Sequence, residues 1–148
     1  SSTEEERAAA RAQGRWIDHY DWTVASRERD RNRDRWSSFF RDFDILLCPV
    51  TPVPPIRHLH PAPGRNNWAD ATLADHGHRP YMDLAWRTLL VGTVYLPVTV
   101  PPVGRTVDGL PIGMQVVAPY LHDRTSIAFA RAVGDVLGGY EPPPLARR

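Results

Sequence analysis

Two histidine pairs have a type and spacing that invite chemistry. His58-Leu59-His60 and His76-Gly77-His78 both read His-x-His. An extended strand turns both rings of such a pair to one face, a spacing that suits a metal ion. Both pairs sit in Pro- or Gly-rich sequence, and no nearby Cys or Glu completes a ligand set. The reading is therefore loop histidines, with no metal and no cofactor.

A nucleophile is the next requirement. Ser1-Ser2 and Ser37-Ser38 are the two serine pairs. The first reads as helix capping. The second lies within "RWSSFF", an aromatic helix face with no strained turn and no Gly-rich oxyanion loop. Neither pair has a base beside it in sequence. All eighteen basic residues are Arg and none is Lys. Lysine chemistry is thus absent from these residues, and guanidinium does not give up its proton at working pH. No catalytic residue is assigned.

Arg27, Arg31 and Arg35 fall on one helical stripe and raise the question of nucleic acid. Glu28, Asp30 and Asp34 interleave with them, and Glu28–Arg31 and Asp30–Arg33 have i,i+3 spacing. A solvated, self-paired helix follows, with no nucleic-acid partner. Cys48, inside "ILLCP", reads as a buried and inert thiol. Trp68, Trp86, Tyr81 and Tyr95 have the character of pocket-lining rings, but aromatics in such runs are more often core.

The elements that would carry these residues form an α/β pattern. Thr3 with Glu6 fits a capping box for an opening helix rich in alanine, which Gly14 ends or bends. A second helix spans about residues 15–43. Trp16, Tyr20 and Val24 share one stripe, and Trp36, Phe39, Phe40 and Phe43 recur at i, i+3, i+4 and i+7. Residues 45–48 are a continuous apolar run closed by Pro49, expected to be a buried strand. A Pro-rich loop follows, then a short helix in "MDLAWRTLLVG". "LPVTVPPV" and "PIGMQVVAP" read as two strands joined by the turn residues of "GRTVDG". A last helix has Asp123 as expected N-cap, Phe129, Val133, Val136 and Leu137 as expected buried stripe, and Gly138-Gly139 as stop.

The chain has 148 residues and a formal net charge of +1, so bulk charge selects no polyanionic partner. One cysteine leaves no internal disulfide, which favours a reducing, cytoplasmic compartment. No run approaches the ~18 apolar residues of a membrane span, and the opening residues are not expected to form a secretory h-region.

Residues 16–144 resemble the C-terminal third of the amidase signature family. Four segments carry the likeness: "RWSSFFRDFDILLCPVTPVPP" (residues 35–55), "HGHRPYMDLAWRTLL" (76–90), "LPVTVPPVG" (96–104) and "DGLPIGMQVVAP" (108–119). Their order, more than any one of them, makes the resemblance specific. It implies part of an α/β/α fold with mixed sheet strands flanked by helices. It also implies amide hydrolysis by a Ser-Ser-Lys centre, with a Gly- and Ser-rich stretch supplying oxyanion donors. None of those catalytic residues maps onto this chain. One departure stands out: where the family often has Asn-x-x-Gly before "LP", this sequence has Gly92-Thr93-Val94-Tyr95.

The expectation is a single partial domain over residues 1–148. It would complete the sheet and one wall of a substrate pocket for a Ser-Ser-Lys centre located upstream, acting on an amide-bearing small molecule. Thr51, Trp86, Leu89, Gly92 and Tyr95 are the expected wall residues, at or before loop and strand ends where α/β pockets open. The isolated chain is expected to be inactive. It would expose apolar surface where its missing N-terminal partner belongs, and so tend to form a homodimer or to aggregate. The rival readings are a stand-alone binding or scaffold module from a split or decayed amidase gene, and a fragment with no independent role.

Overall fold

The computed structural model describes residues 3–12, 17–54 and 84–143. The element order is α1 (Glu4–Ala12), α2 (His19–Phe39), β1 (Leu46–Pro49), α3 (Trp86–Gly92), β2 (Val98–Thr99), β3 (Pro102–Arg105), β4 (Pro111–Val117) and α4 (Asp123–Leu137). Helices packed with a sheet make this the expected α/β class. Every strand pairing among the described residues is antiparallel.

β4 is the central strand. β1 pairs along one side of it, Leu46 opposite Val117 and Pro49 opposite Met114. The other side is taken by β2 and then β3. Val98 opposes Val117 and Pro102 opposes Gly113, so the two short strands hold one register against β4. The single apolar run expected as one strand is split because Pro101 and Pro102 have no N–H to donate to the ladder. Pro101 instead accepts through its carbonyl, from Met114 N at 3.2 Å. A bulge between Pro102 and Gly104 shifts the register before the turn. There, Gly109 at φ 81° donates to Thr106 O, and the Thr106 hydroxyl accepts from Leu110 N.

Alternation along the strands divides the packing into two faces. Val117, Val98, Leu46 and Cys48 turn to one side, where they meet Val91, Val94 and Leu96 from α3 and its exit, and Trp36 and Phe40 from α2. Val116 and Thr99 turn to the other, where α4 packs. Val116 and Val117 are fully buried, each stabilising by roughly 1.5–3 kcal/mol relative to an exposed position. Two polar residues share this interior. Gln115 donates to Pro49 O at 3.1 Å, and Ser126 donates to Asp123 O at 2.8 Å.

Several expectations change. α1 carries the capping box as read: Thr3 N donates to Glu6 Oε2 at 2.8 Å and Glu6 N to Thr3 Oγ1 at 3.3 Å. α2 is shorter than residues 15–43. Asp18 caps its start by accepting from Asp21 N, and Phe40 closes its end. Its C-terminal rings do cluster, Phe39 stacking on Phe43 at 4.8 Å and on Phe40 edge-on at 5.1 Å. Tyr20 and Val24, the described members of the first stripe, are exposed. Among the described residues β1 is an edge strand that alternates between half-buried and exposed, because only one of its flanks pairs with a described strand and only Leu46 and Cys48 meet the core. In α4 the N-cap is His122, with Asp123 in the first turn. Ser126 and Ala130 are its buried residues, while Phe129, Val136 and Leu137 are exposed. The helix turns its smaller side chains to the sheet, which allows close approach. Gly138 ends it in the left-handed region at φ 93°, as Gly does at C′ positions.

Candidate substrate wall

The five expected wall residues divide by the sheet register. Thr51 follows Pro49, beyond the Pro49–Met114 end of the sheet. Tyr95 precedes Val98, beyond the Leu46–Val117 end. α3 and its exit lie over the face that Val117, Leu46 and Cys48 share: Val91 and Val94 pack there, and the charge of Arg87, in the first turn of α3, acts on Cys48. Leu89 and Gly92 lie three residues apart on α3, hence on one helix face, with the Trp86 backbone one turn earlier. Nothing is described of the Trp86 side chain, and Gly14, Trp16, the His58, His60, His76 and His78 pairs, Trp68 and Tyr81 lie outside the described residues. Leu89 is 49% exposed, and Thr51 is exposed with its hydroxyl donating to Val53 O at 2.6 Å.

The exit of α3 is held by a set of short-range hydrogen bonds. Thr93 N and Thr93 Oγ1 both donate to Leu89 O, Tyr95 N donates to Gly92 O at 3.1 Å, and Leu96 N donates to Val91 O at 3.2 Å. Val94 and Leu96 are buried, so the residue between them is turned outward. That residue, Tyr95, has φ 61°. Its hydroxyl accepts from Arg29 Nη1, and the Arg29 guanidinium carbon lies 5.1 Å from its ring centroid. One turn along α2, the Arg33 guanidinium covers the Tyr120 ring at 3.9 Å.

Sequence reasoning misses the Arg29 contact, though a signal for it exists. Arg31 and Arg33 have acids three residues before them and do pair, with Glu28 at 3.0 Å and Asp30 at 3.7 Å. Arg29 has no acid at i±3 or i±4, which leaves its guanidinium for a partner elsewhere in the fold. Ser38 donates to Asp34 O at 3.1 Å, the back-bonding of a helix serine, and Arg41 donates to its oxygen. Cys48 is half-buried, and burial pushes its thiol pKa up, partly offset by the Arg87 charge. Among the described residues no three His, Cys, Asp or Glu side chains converge on a metal position. No helix described is long and apolar enough to cross a membrane.

Sheet, helix order and motif segments together match a known class. The family model for Amidase covers residues 3–127, and this chain belongs to the amidase family. Among curated relatives, AtzE, a component of the 1-carboxybiuret hydrolase of Pseudomonas sp. (strain ADP), is 38% identical over 96 residues, covering 64% of this chain and 19% of the relative. Fatty-acid amide hydrolase 2-A of Danio rerio is 46% identical over 99 residues, 67% of this chain and 15% of its own length. A glutamyl-tRNA(Gln) amidotransferase component of Haloarcula marismortui is 32% identical over 92 residues, 62% of this chain and 19% of its own. A solved structure, from work on a vestigial protein complex and the origins of an s-triazine catabolic enzyme, superposes with TM-score 0.63 at 26% identity. It covers 88% of this chain and 27% of that one. The matched regions therefore span less than a fifth of each curated relative's length.

Proposed function

We propose that residues 1–148 are the C-terminal portion of an amidase-signature hydrolase, a single partial domain that acts with a Ser-Ser-Lys centre carried by the rest of the protein. In that enzyme a serine attacks the carbonyl of an amide-bearing small molecule, an acyl-enzyme forms, and water releases the acid. This chain supplies sheet strands and one wall, formed by Thr51, Trp86, Leu89, Gly92 and Tyr95. Its contribution is positioning of substrate and exclusion of water, neither of which needs an acid or base. The compartment proposed is the cytoplasm.

The observation that carries the reading is the family match over residues 3–127 in a sequence with no lysine. An amidase-family chain that lacks the family's base needs that base from elsewhere. The small share of each relative that is matched supports the same division.

The test is the size and reactivity of the native product. An antibody against the α4 segment should detect a polypeptide several times longer than 148 residues that a serine-reactive fluorophosphonate labels. The 148-residue chain, purified alone, should neither take up the probe nor hydrolyse amides. Specific, stoichiometric labelling of Ser37 or Ser38 in the isolated chain would sink the reading. A native product of this chain's own size, with no labelled partner, would favour a stand-alone binding module instead.

A further inference from the structure

We propose that Arg29 is a positioning residue for the substrate wall. It holds the side chain that the left-handed turn at Tyr95 presents, and so sets how far the Tyr95 ring stands into the space beside α3. This rests on the reading of Gly92 and Tyr95 as wall residues given above.

The backbone at Tyr95 is the starting point. A non-glycine residue at φ 61° carries a steric cost of roughly 1–2 kcal/mol. Glycine would carry the same turn without that cost. Burial of the ring does not compensate, since Tyr95 is 55% exposed between buried Val94 and Leu96. What the tyrosine gains is Arg29. The guanidinium lies within cation–π range of the ring, and Nη1 donates to the hydroxyl. Two contacts from one planar group restrain both the ring plane and its reach.

The arrangement has a counterpart one turn along α2. Arg33 covers Tyr120, and the next residue, Leu121, is the other non-glycine residue described with positive φ, at 65°. The two segments meet at one end of the sheet, where Ala118 N donates to Pro97 O at 3.1 Å. One helix thus lays two arginines, four residues apart, over the entry to β2 and the exit from β4. Arg29 faces the segment that carries the wall. Arg33 faces one that does not, which makes it the internal control.

The test has two arms. In the 148-residue chain, Arg29→Met and Tyr95→Gly should be coupled in unfolding free energy. Tyr95→Gly should melt no lower than the parent chain, because it relieves the left-handed turn. In the native polypeptide that reacts with fluorophosphonate, kcat and KM are measured over amides of increasing acyl bulk. Tyr95→Gly should improve KM for the bulkiest amides by roughly tenfold with kcat little changed. Arg29→Met should shift KM the same way and add nothing to Tyr95→Gly. Arg29→Lys, which keeps the charge, should recover part of the effect. Arg33→Met should leave KM at the parent value.

Each failure is distinct. Independent, additive effects of Arg29→Met and Tyr95→Gly in both arms would overturn the positioning role. So would an unchanged KM in Arg29→Met beside a shifted KM in Tyr95→Gly, which leaves the wall intact. Coupling in the chain with no KM change in either variant would overturn the wall reading itself.

Discussion

Thr99 Oγ1 lies 2.9 Å from Ser126 Oγ, a hydroxyl pair that ties β2 to α4. Ser126 spends its only proton on Asp123 O, so Thr99 is the donor of the pair. Ser126 is 1% exposed, and Ala130 lies on the same helix face one turn on. The small residues let α4 approach the strand, and the hydrogen bonds make the serine's burial tolerable.

Ser126→Ala removes Thr99's acceptor inside a packed interface. The expected loss is about 1–2 kcal/mol, mostly the desolvated Thr99 hydroxyl left without a partner. Adding Thr99→Val should cost less than the sum of the two single changes, because the orphaned group is gone. Chemical denaturation of the four proteins in the cycle measures this. Strict additivity would mean the hydroxyls do not interact.

Gly113 meets Val100 across the hairpin. A Cβ built at Gly113 would stand 2.6 Å from Val100 Cγ1 and 3.6 Å from Pro101 O. Val100 is half-exposed, so it has room to rotate, but a β-branched side chain has few good rotamers. Gly113→Ala should therefore cost about 1 kcal/mol, less than a clash with backbone would. Val100→Ala in the same chain should recover most of it. A thermal melt of the double variant as low as that of Gly113→Ala would show that the backbone, not Val100, is the obstacle.

Local chemistry is legible in the sequence and coverage is not. The Thr3–Glu6 capping box, the Asp108-Gly109 turn and the Gly138 stop depend on neighbours a few residues away, and each stands where the residue types put it. Asp18 caps α2, but the aromatic stripe through Trp16 draws the expected helix start too early. Amphipathic spacing shows that Phe129 and Val136 share an apolar stripe on α4 without showing what covers it, and here they are exposed. Gln115 and Ser126 fail in the opposite sense. Polar residues are expected outside, yet these two are buried because Pro49 O and Asp123 O receive their protons. For the wall, chain order brings Gly92 and Tyr95 together at the α3 exit. The antiparallel register that sends Thr51 to the other end of the sheet, and the left-handed φ of a tyrosine, have no sequence signal.

Gln115 ties the edge strand to the central one. Its side-chain N–H reaches Pro49 O, the last carbonyl of β1, from a position only 3% exposed. Gln115→Met keeps the volume and removes the donor, at an expected cost of about 1–2 kcal/mol. The loss is local to the end of β1, so amide exchange at Leu47 and Cys48 should accelerate more than exchange in the middle of β4. Uniform acceleration throughout the sheet would show that the bond stabilises the whole fold rather than the edge.

Cys48 supplies a pH-dependent probe of the same edge. Burial raises its thiol pKa above the ordinary value, and the Arg87 charge opposes that shift. The folded state therefore holds the thiol proton more tightly than the unfolded state. This group's contribution to stability is fully present below the ordinary thiol pKa. It is lost as pH rises through the folded value, because only the unfolded chain ionises freely in that window. Iodoacetamide, which reacts with the thiolate, should modify the folded chain more slowly than a free cysteine peptide at about pH 8, the two rates converging as pH rises. Arg87→Met removes the opposing charge and should slow alkylation further at fixed pH. Gln115→Met should hasten it by freeing the end of β1. Faster alkylation in Arg87→Met than in the parent chain would mean that the arginine shields the thiol sterically, and that its charge is the lesser effect.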